Sequence, residues 1–237
     1  MLVVAYSQVA AAEVARSARR AATFGWRRFS LAGVAGAIGS RVLAARGLVA
    51  VGELAIEALC TRVLHICAGT GELGKLAPLV GRPGLARALA RTLQEVRLAG
   101  IESRALESVR PELSRLLRVY ETELARARLA DRAMVLRLAT ERIRDGIEHP
   151  VVGHPTLLVD LVVKSGVEQD LVTALATRSA QVLAVAPGAD QFSIRHLAEA
   201  LGVTPDEIQK SDSGGSPRAA PAPSLCRGTA RGRPGRR

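Results

Sequence analysis

Aromatic residues are the first shortage in this chain. Three phenylalanines, two tyrosines and one tryptophan make up 3% of 237 residues. A single-strand nucleic-acid platform stacks bases on exposed rings, and so few rings, with Trp26 the only indole, do not supply one. Cysteine is scarce too, and its count of three is odd. That argues against a disulfide scaffold and fits a reducing, cytoplasmic setting. Long apolar runs are missing, so nothing reads as a bilayer span of about 20 residues. The N-terminus lacks the basic region and extended apolar core of a signal peptide. Residues 1–50 do hold seven arginines against one acid, Glu13, a composition shared with organellar import sequences. The opening run Leu2–Ala5, however, is not part of an amphipathic helix.

Catalytic constellations are also wanting. No Ser-His-Asp order or carboxylate pair stands out. His149 and His154 flank a Pro/Gly turn without a carboxylate partner at catalytic spacing. Cys60 and Cys67 lie seven residues apart, about 10.5 Å along a helix, which is too far for a disulfide. His65 falls on a different helical face from both, so helix packing explains these residues better than a metal site.

What the chain has in quantity is small and aliphatic residues, at 48% hydrophobic overall, and arginine. Net charge is +11, and 30 of the 33 basic residues are arginine. A basic chain suits a phosphate-bearing partner; a GC-rich coding sequence also raises Arg, Ala and Gly without any function. Residues 211–237 carry Arg218, Arg227, Arg231, Arg233, Arg236 and Arg237 against Asp212, a net +5 in a short tail of Ser, Gly, Pro and Ala. This tail cannot form a core and is expected to be disordered. Its six arginines are the candidate nucleic-acid contacts.

The middle of the chain, residues 82–148, reads as a helical subdomain. Leu85, Leu89, Leu93 and Val96 form one stripe, Leu113, Leu116, Leu117, Tyr120 and Leu124 a second, and Val135, Leu138 and Ile143 a third. Steps of three and four place each set on one helical face. Gly100 closes the first helix, Pro111 suits the first turn of the second, and Asp131 caps the third. On either side, strand-like runs alternate with helices. Leu2–Tyr6 is followed by an alanine-rich helix from Val9 to Arg20, and a short strand near Phe24–Leu31 by helices over 31–43 and 51–68. Residues 157–163 form a strand apolar on both faces, followed by a helix at 167–177, a strand at 181–186 and a helix at 193–201. That alternation predicts a parallel α/β sheet, with parts at 1–81 and 149–210.

Two short motifs invite over-reading. Residues 69–75, GTGELGK, match the first seven positions of a phosphate-binding P-loop, with Gly69, Gly74 and Lys75 in the motif places. Leu76 stands where the magnesium-binding hydroxyl is needed, and the stretch follows a helix rather than a strand. We read it as a helix terminus and turn. Residues 205–210, PDEIQK, crowd the acids and lysine of a PD-(D/E)XK site into six positions. That chemistry needs carboxylates on two successive strands converging on one metal ion. Asp160, at the end of an apolar strand, sits where P-loop enzymes keep a magnesium-linked aspartate, but Leu161 follows it rather than a second acid.

Taken in order, these pieces resemble the N-terminal, helicase-like region of AddB-type proteins of the RecB-like PD-(D/E)XK nuclease family. The likeness is carried by Leu2–Tyr6 with its helix, residues 28–31 (RFSL), residues 84–100 (GLARALARTLQEVRLAG), residues 120–124 (YETEL), residues 129–133 (LADRA) and the strand ending at Asp160. It covers residues 1 to about 202. It implies a partial RecA-type, helicase-like parallel sheet with an inserted helical subdomain, in a protein of DNA end processing and recombinational repair. The family's ATP site, second helicase domain and nuclease residues have no counterpart in the sequence. The expectation is therefore a non-catalytic fragment with no metal and no cofactor of its own; ATP and magnesium are implied only for a full-length relative. Expected partners are DNA, bound weakly and without sequence preference, and a helicase-nuclease partner subunit. The alternatives are a nucleotide hydrolase using Lys75, and a small basic helical module that binds nucleic acid or protein.

Overall fold

A computed structural model describes residues 1–17, 25–187, 189–204 and 223–228. Its contacts divide the chain into two compact units.

The first unit comprises Met1–Ile38, Ala139–Lys164 and Glu168–Arg237. Its sheet has the order β2-β1-β5-β6-β7. The strands are β1 (Leu2–Ala5), β2 (Arg27–Ser30), β5 (Thr156–Val159), β6 (Val182–Pro187) and β7 (Pro223–Gly228). The first four are mutually parallel; β1 pairs with β2 on one side and with β5 on the other, Leu2 opposite Thr156 and Ala5 opposite Val159. All four residues of β1 are fully buried. A central parallel strand is covered on both faces, which is why LVVA shows no polar alternation. On one face Val3 and Ala5 pack with Ala11 of α1 (Gln8–Ser17).

The helices of this sheet start where short polar side chains satisfy their first amides. Ser7 accepts from the Ala10 amide at 3.2 Å at the start of α1. Ser30 accepts from the Gly33 amide at 3.1 Å at the start of α2 (Leu31–Ala45). Asp190 accepts from the Ser193 amide at 3.0 Å before α9 (Gln191–Leu201), and Ser193, through its side chain and its amide, holds the Asp190 carboxyl below the usual range. The remaining helix, α8 (Gly166–Arg178), joins β5 to β6.

The second unit is Gly39–Leu138 with Ser165–Val167. It begins well before residue 82, where the sequence places the helical block, because α3 (Glu53–Gly69) packs on α4 (Leu85–Leu98) and α6 (Pro111–Arg126). Their shared core holds Ile56, Val63, Leu89, Leu93, Leu117 and Tyr120. The short α5 (Ser103–Leu106) lies against α6. A two-stranded parallel ribbon, β3 (Val49–Ala50) with β4 (Leu129–Ala130), precedes α7 (Arg132–Arg144). The expected helix signals hold. Gly100 follows α4 with φ +79, Pro111 opens α6, and Asp131 accepts from the Met134 amide at 2.9 Å.

Three sequence expectations need correction. The strand expected over 157–163 stops at Val159, because Asp160 turns into the left-handed region at φ +48, although Leu161 and Val163 remain buried. The tail expected to be without structure contributes β7, which pairs antiparallel with β6, Arg227 opposite Leu183. The other five tail arginines, residues 205–210 and the end of the alanine-rich helix at 18–20 lie outside the described residues. Finally, β3 and β4 are strands that no periodicity announced; each is two residues long.

Candidate functional site

In an open parallel sheet the ligand crevice forms outside the carboxyl ends of two adjacent strands whose connections leave in opposite directions. Here those strands are β1 and β5. β1 runs through α1 to β2 at one edge, whereas β5 runs through α8 to β6 on the other side. The carboxyl end of β1 delivers Tyr6 and Ser7, and that of β5 delivers Asp160. Tyr6 is 64% exposed and Val9, one turn into α1, is 73% exposed.

Asp160 is also exposed and is one of two non-glycine residues with positive φ among the described ones. Its amide is held to the Val185 carbonyl at 2.7 Å, which anchors the turn to β6. A left-handed aspartate costs about 1–2 kcal/mol less local compensation. The crevice thus offers a carboxylate, a phenol and a capping serine. Among the described residues no group of three or more His, Cys, Asp or Glu could hold a metal ion.

The P-loop-like stretch is built differently. Gly69 ends α3, and the amides that follow are already bonded: Thr70 to Ile66, Gly71 to Ala68 and Glu72 to Cys67. A phosphate cradle needs such amides unbonded and converging. A 3-10 turn, Gly74–Leu79, comes next, and Leu76 donates back to Leu73 at 2.9 Å. The Glu112 carboxylate lies over Gly74, with Oε1 2.9 Å from where a Cβ would stand. That negative group opposes phosphate beside Lys75, whose side chain is exposed.

The histidines sit elsewhere. His149 and His154 line one shallow depression with Glu148 and Arg178. His149 Nδ1 accepts from the Val151 amide at 3.3 Å. The depression lies by the amino end of β5, the opposite end of the strand from Asp160. Cys60 and Cys67 are both free and fully buried on α3. Burial, helped by Glu57, pushes the Cys60 thiol up to about 12; burial and Glu72 raise that of Cys67. Both shifts favour the thiol over the thiolate.

Sequence reasoning missed the densest polar cluster. Arg97, only 4% exposed, donates to Asp131 through Nε at 2.5 Å and Nη2 at 3.2 Å, and also pairs with Glu121. Its guanidinium lies 5.9 Å from the Tyr120 ring, whose hydroxyl donates to Asp131 at 3.4 Å. Asp131 pairing raises the Arg97 pKa although burial opposes it, and burial raises that of Tyr120. A signal was present: Leu85, Leu89, Leu93 and Arg97 fall at steps of four, so the arginine occupies an apolar place on the buried face. Nearby, Glu123 accepts from both Arg62 and Arg126, which hold its carboxyl below the usual range. These ties fix α3 to α6, and α4 to the α7 cap.

No protein-family model and no curated protein sequence matches the chain. The fold is α/β with a mostly parallel sheet, and no helix among the described residues is long and apolar enough to cross a membrane.

Proposed function

We propose that the chain is a helicase-like, non-catalytic region of the AddB/RecB-like PD-(D/E)XK nuclease type, acting as a scaffold in cytoplasmic DNA end processing and recombinational repair. One observation carries the reading. β1 and β5 are adjacent, parallel and in register, yet the chain between them builds a whole helical unit. A parallel sheet interrupted by a helical insertion, with Asp160 at the carboxyl end beside the switch point, is the arrangement that the resemblance implies. The occupied amides around Lys75 support a role without nucleotide hydrolysis. ATP and magnesium belong to full-length relatives. The partners are DNA, bound weakly through its phosphates, and a helicase-nuclease subunit.

The test measures ATP turnover and duplex-DNA binding for the full chain and for Lys75→Ala. We expect sequence-independent DNA binding that weakens with salt, and turnover that does not respond to Lys75→Ala. Turnover that depends on Lys75 overturns the proposal in favour of a nucleotide hydrolase. Absence of DNA binding at about 50 mM salt removes the DNA-processing role.

A further inference from the structure

The positive charge is not evenly spread over the folded chain. The helical unit carries sixteen Arg and Lys against ten Asp and Glu, a net +6. The other residues up to 210 carry eleven of each sign and balance to zero. All of the excess outside the tail therefore belongs to one unit.

Within that unit Arg62, Arg87, Arg97, Arg118 and Arg126 each have an acidic partner. Arg87 faces Glu57, Arg118 faces Glu107, and Arg97 is enclosed by Asp131 and Glu121. Several others are exposed without an acidic partner among the described residues, and two of these, Arg46 and Arg128, are brought close where the turn between α2 and β3 meets the turn between α6 and β4. Arg46 and Gly47 form the first turn, and Arg128 leads the second. The two are joined by the Val49 amide donating to the Arg128 carbonyl at 2.9 Å. The Arg128 guanidinium lies against Gly47: its Nη1 is 2.9 Å from where a Cβ would stand. Two residues before Arg128, Arg126 shares the single carboxylate of Glu123 with Arg62.

Helix carboxyl ends attract cations through their carbonyls, and two helices end here. Those carbonyls are already taken by backbone amides: Gly47 donates to Ala44, Leu48 to Leu43, Ala127 to Glu123 and Arg128 to Ala125. Arg46 and Arg128 have no ion-pair or hydrogen-bond partner for their side chains among the described residues, and both are exposed. Arg128 is held there in the left-handed region, φ +53.

We propose that the Arg46–Arg128 double turn is a folded contact site for the phosphodiester backbone of duplex DNA. This rests on the DNA-binding part of the function proposed above and places the contact on the helical unit as well as the tail. Guanidinium groups are matched to phosphate oxygens by their planar, forked donors. The unit's sole aromatic residue, Tyr120, is fully buried, so bases have nothing to stack on. The contact is therefore with backbone phosphates and reads no sequence.

The experiment is fluorescence anisotropy of a labelled duplex across a salt series with the full-length chain. One variant combines Arg46→Gln with Arg128→Asn, since asparagine tolerates the left-handed region. Arg46→Gln alone is the milder step in case the pair disturbs folding. A third variant replaces the six tail arginines by glutamine and keeps the chain length. If both turn arginines neutralise one phosphate each, the double variant flattens the slope of log affinity against log salt by about 1.8, and Arg46→Gln by about 0.9. The tail variant retains that share of the slope. The site is overturned if the turn variants keep the wild-type slope while the tail variant loses all of it; DNA binding itself then still stands. If the unaltered chain does not bind duplex at low salt, the site and the DNA-binding reading fall together.

Discussion

Replacing Asp131 by asparagine tests what the buried cluster does for the helical unit. The amide keeps an oxygen for the Met134 N–H, so the start of α7 remains capped. What disappears is the negative charge opposite Arg97, a guanidinium only 4% exposed. Breaking one side of a buried ion pair costs about 3–5 kcal/mol, because the other charge is left uncompensated. Glu121 softens this only in part, since its side chain is 40% exposed and already shared with water. With a urea dependence of about 1–3 kcal/mol per molar, the unfolding midpoint should drop by about 1–5 M. Arg97→Met alone should be comparably harmful, since it strands Asp131 at 1% exposure. The double variant, Arg97→Met with Asp131→Asn, removes both charges and should recover at least about 2 kcal/mol relative to the sum of the singles. Urea unfolding followed by circular dichroism measures all four proteins. Strict additivity in that cycle refutes the reasoning, because it means the two charges do not compensate each other.

Glu123 carries a pH signature. Its carboxyl is held down by Arg126 and Arg62, so its folded value lies below the unfolded one of about 4.3. The stability it contributes is present above that unfolded value and is lost as pH falls through the lowered one. Glu123→Gln should therefore flatten the acid end of the stability profile, as measured by unfolding midpoints from neutral pH downward; an unchanged profile means the ion pairs contribute nothing. Cys60 should resist alkylation by iodoacetamide in the native protein and react once urea exposes it, since it is fully buried and its thiol is pushed up to about 12. Mass spectrometry of the native and unfolded digests decides this, and rapid native labelling contradicts the packing of α3.

Much of the helical unit was legible because its signals are local. The stripes at 85–96 and 113–124 follow from 3.6-residue periodicity, and Gly100, Pro111 and Asp131 mark chain reversals through their own backbone chemistry. The parallel strands were legible from runs apolar on both faces. The site was less so. Asp160 was visible as an acid ending a strand, but its place beside Tyr6 depends on β1 pairing with β5, a long-range fact. β3 and β4 are too short to show any period. The neighbourhood of Arg46 and Arg128 arises only when these strands pair, so charge counted along the chain looked evenly scattered. Arg97 was hidden by a habit of reading arginine as surface, although its step of four from Leu93 put it among buried leucines.

The pairing of Leu2 with Thr156 also constrains how the protein is made. The centre of the sheet joins residues 2–5 with residues that are made only after the entire helical unit. Contacts so distant in sequence close slowly. During synthesis β1, four apolar residues without its β5 neighbour, must wait while α3, α4 and α6 complete their own core. The helical unit is then the part able to fold during translation, and the sheet the part that completes late. A nascent chain halted before residue 156 should expose the β1 segment to chaperones and proteases while the helical unit is already protected.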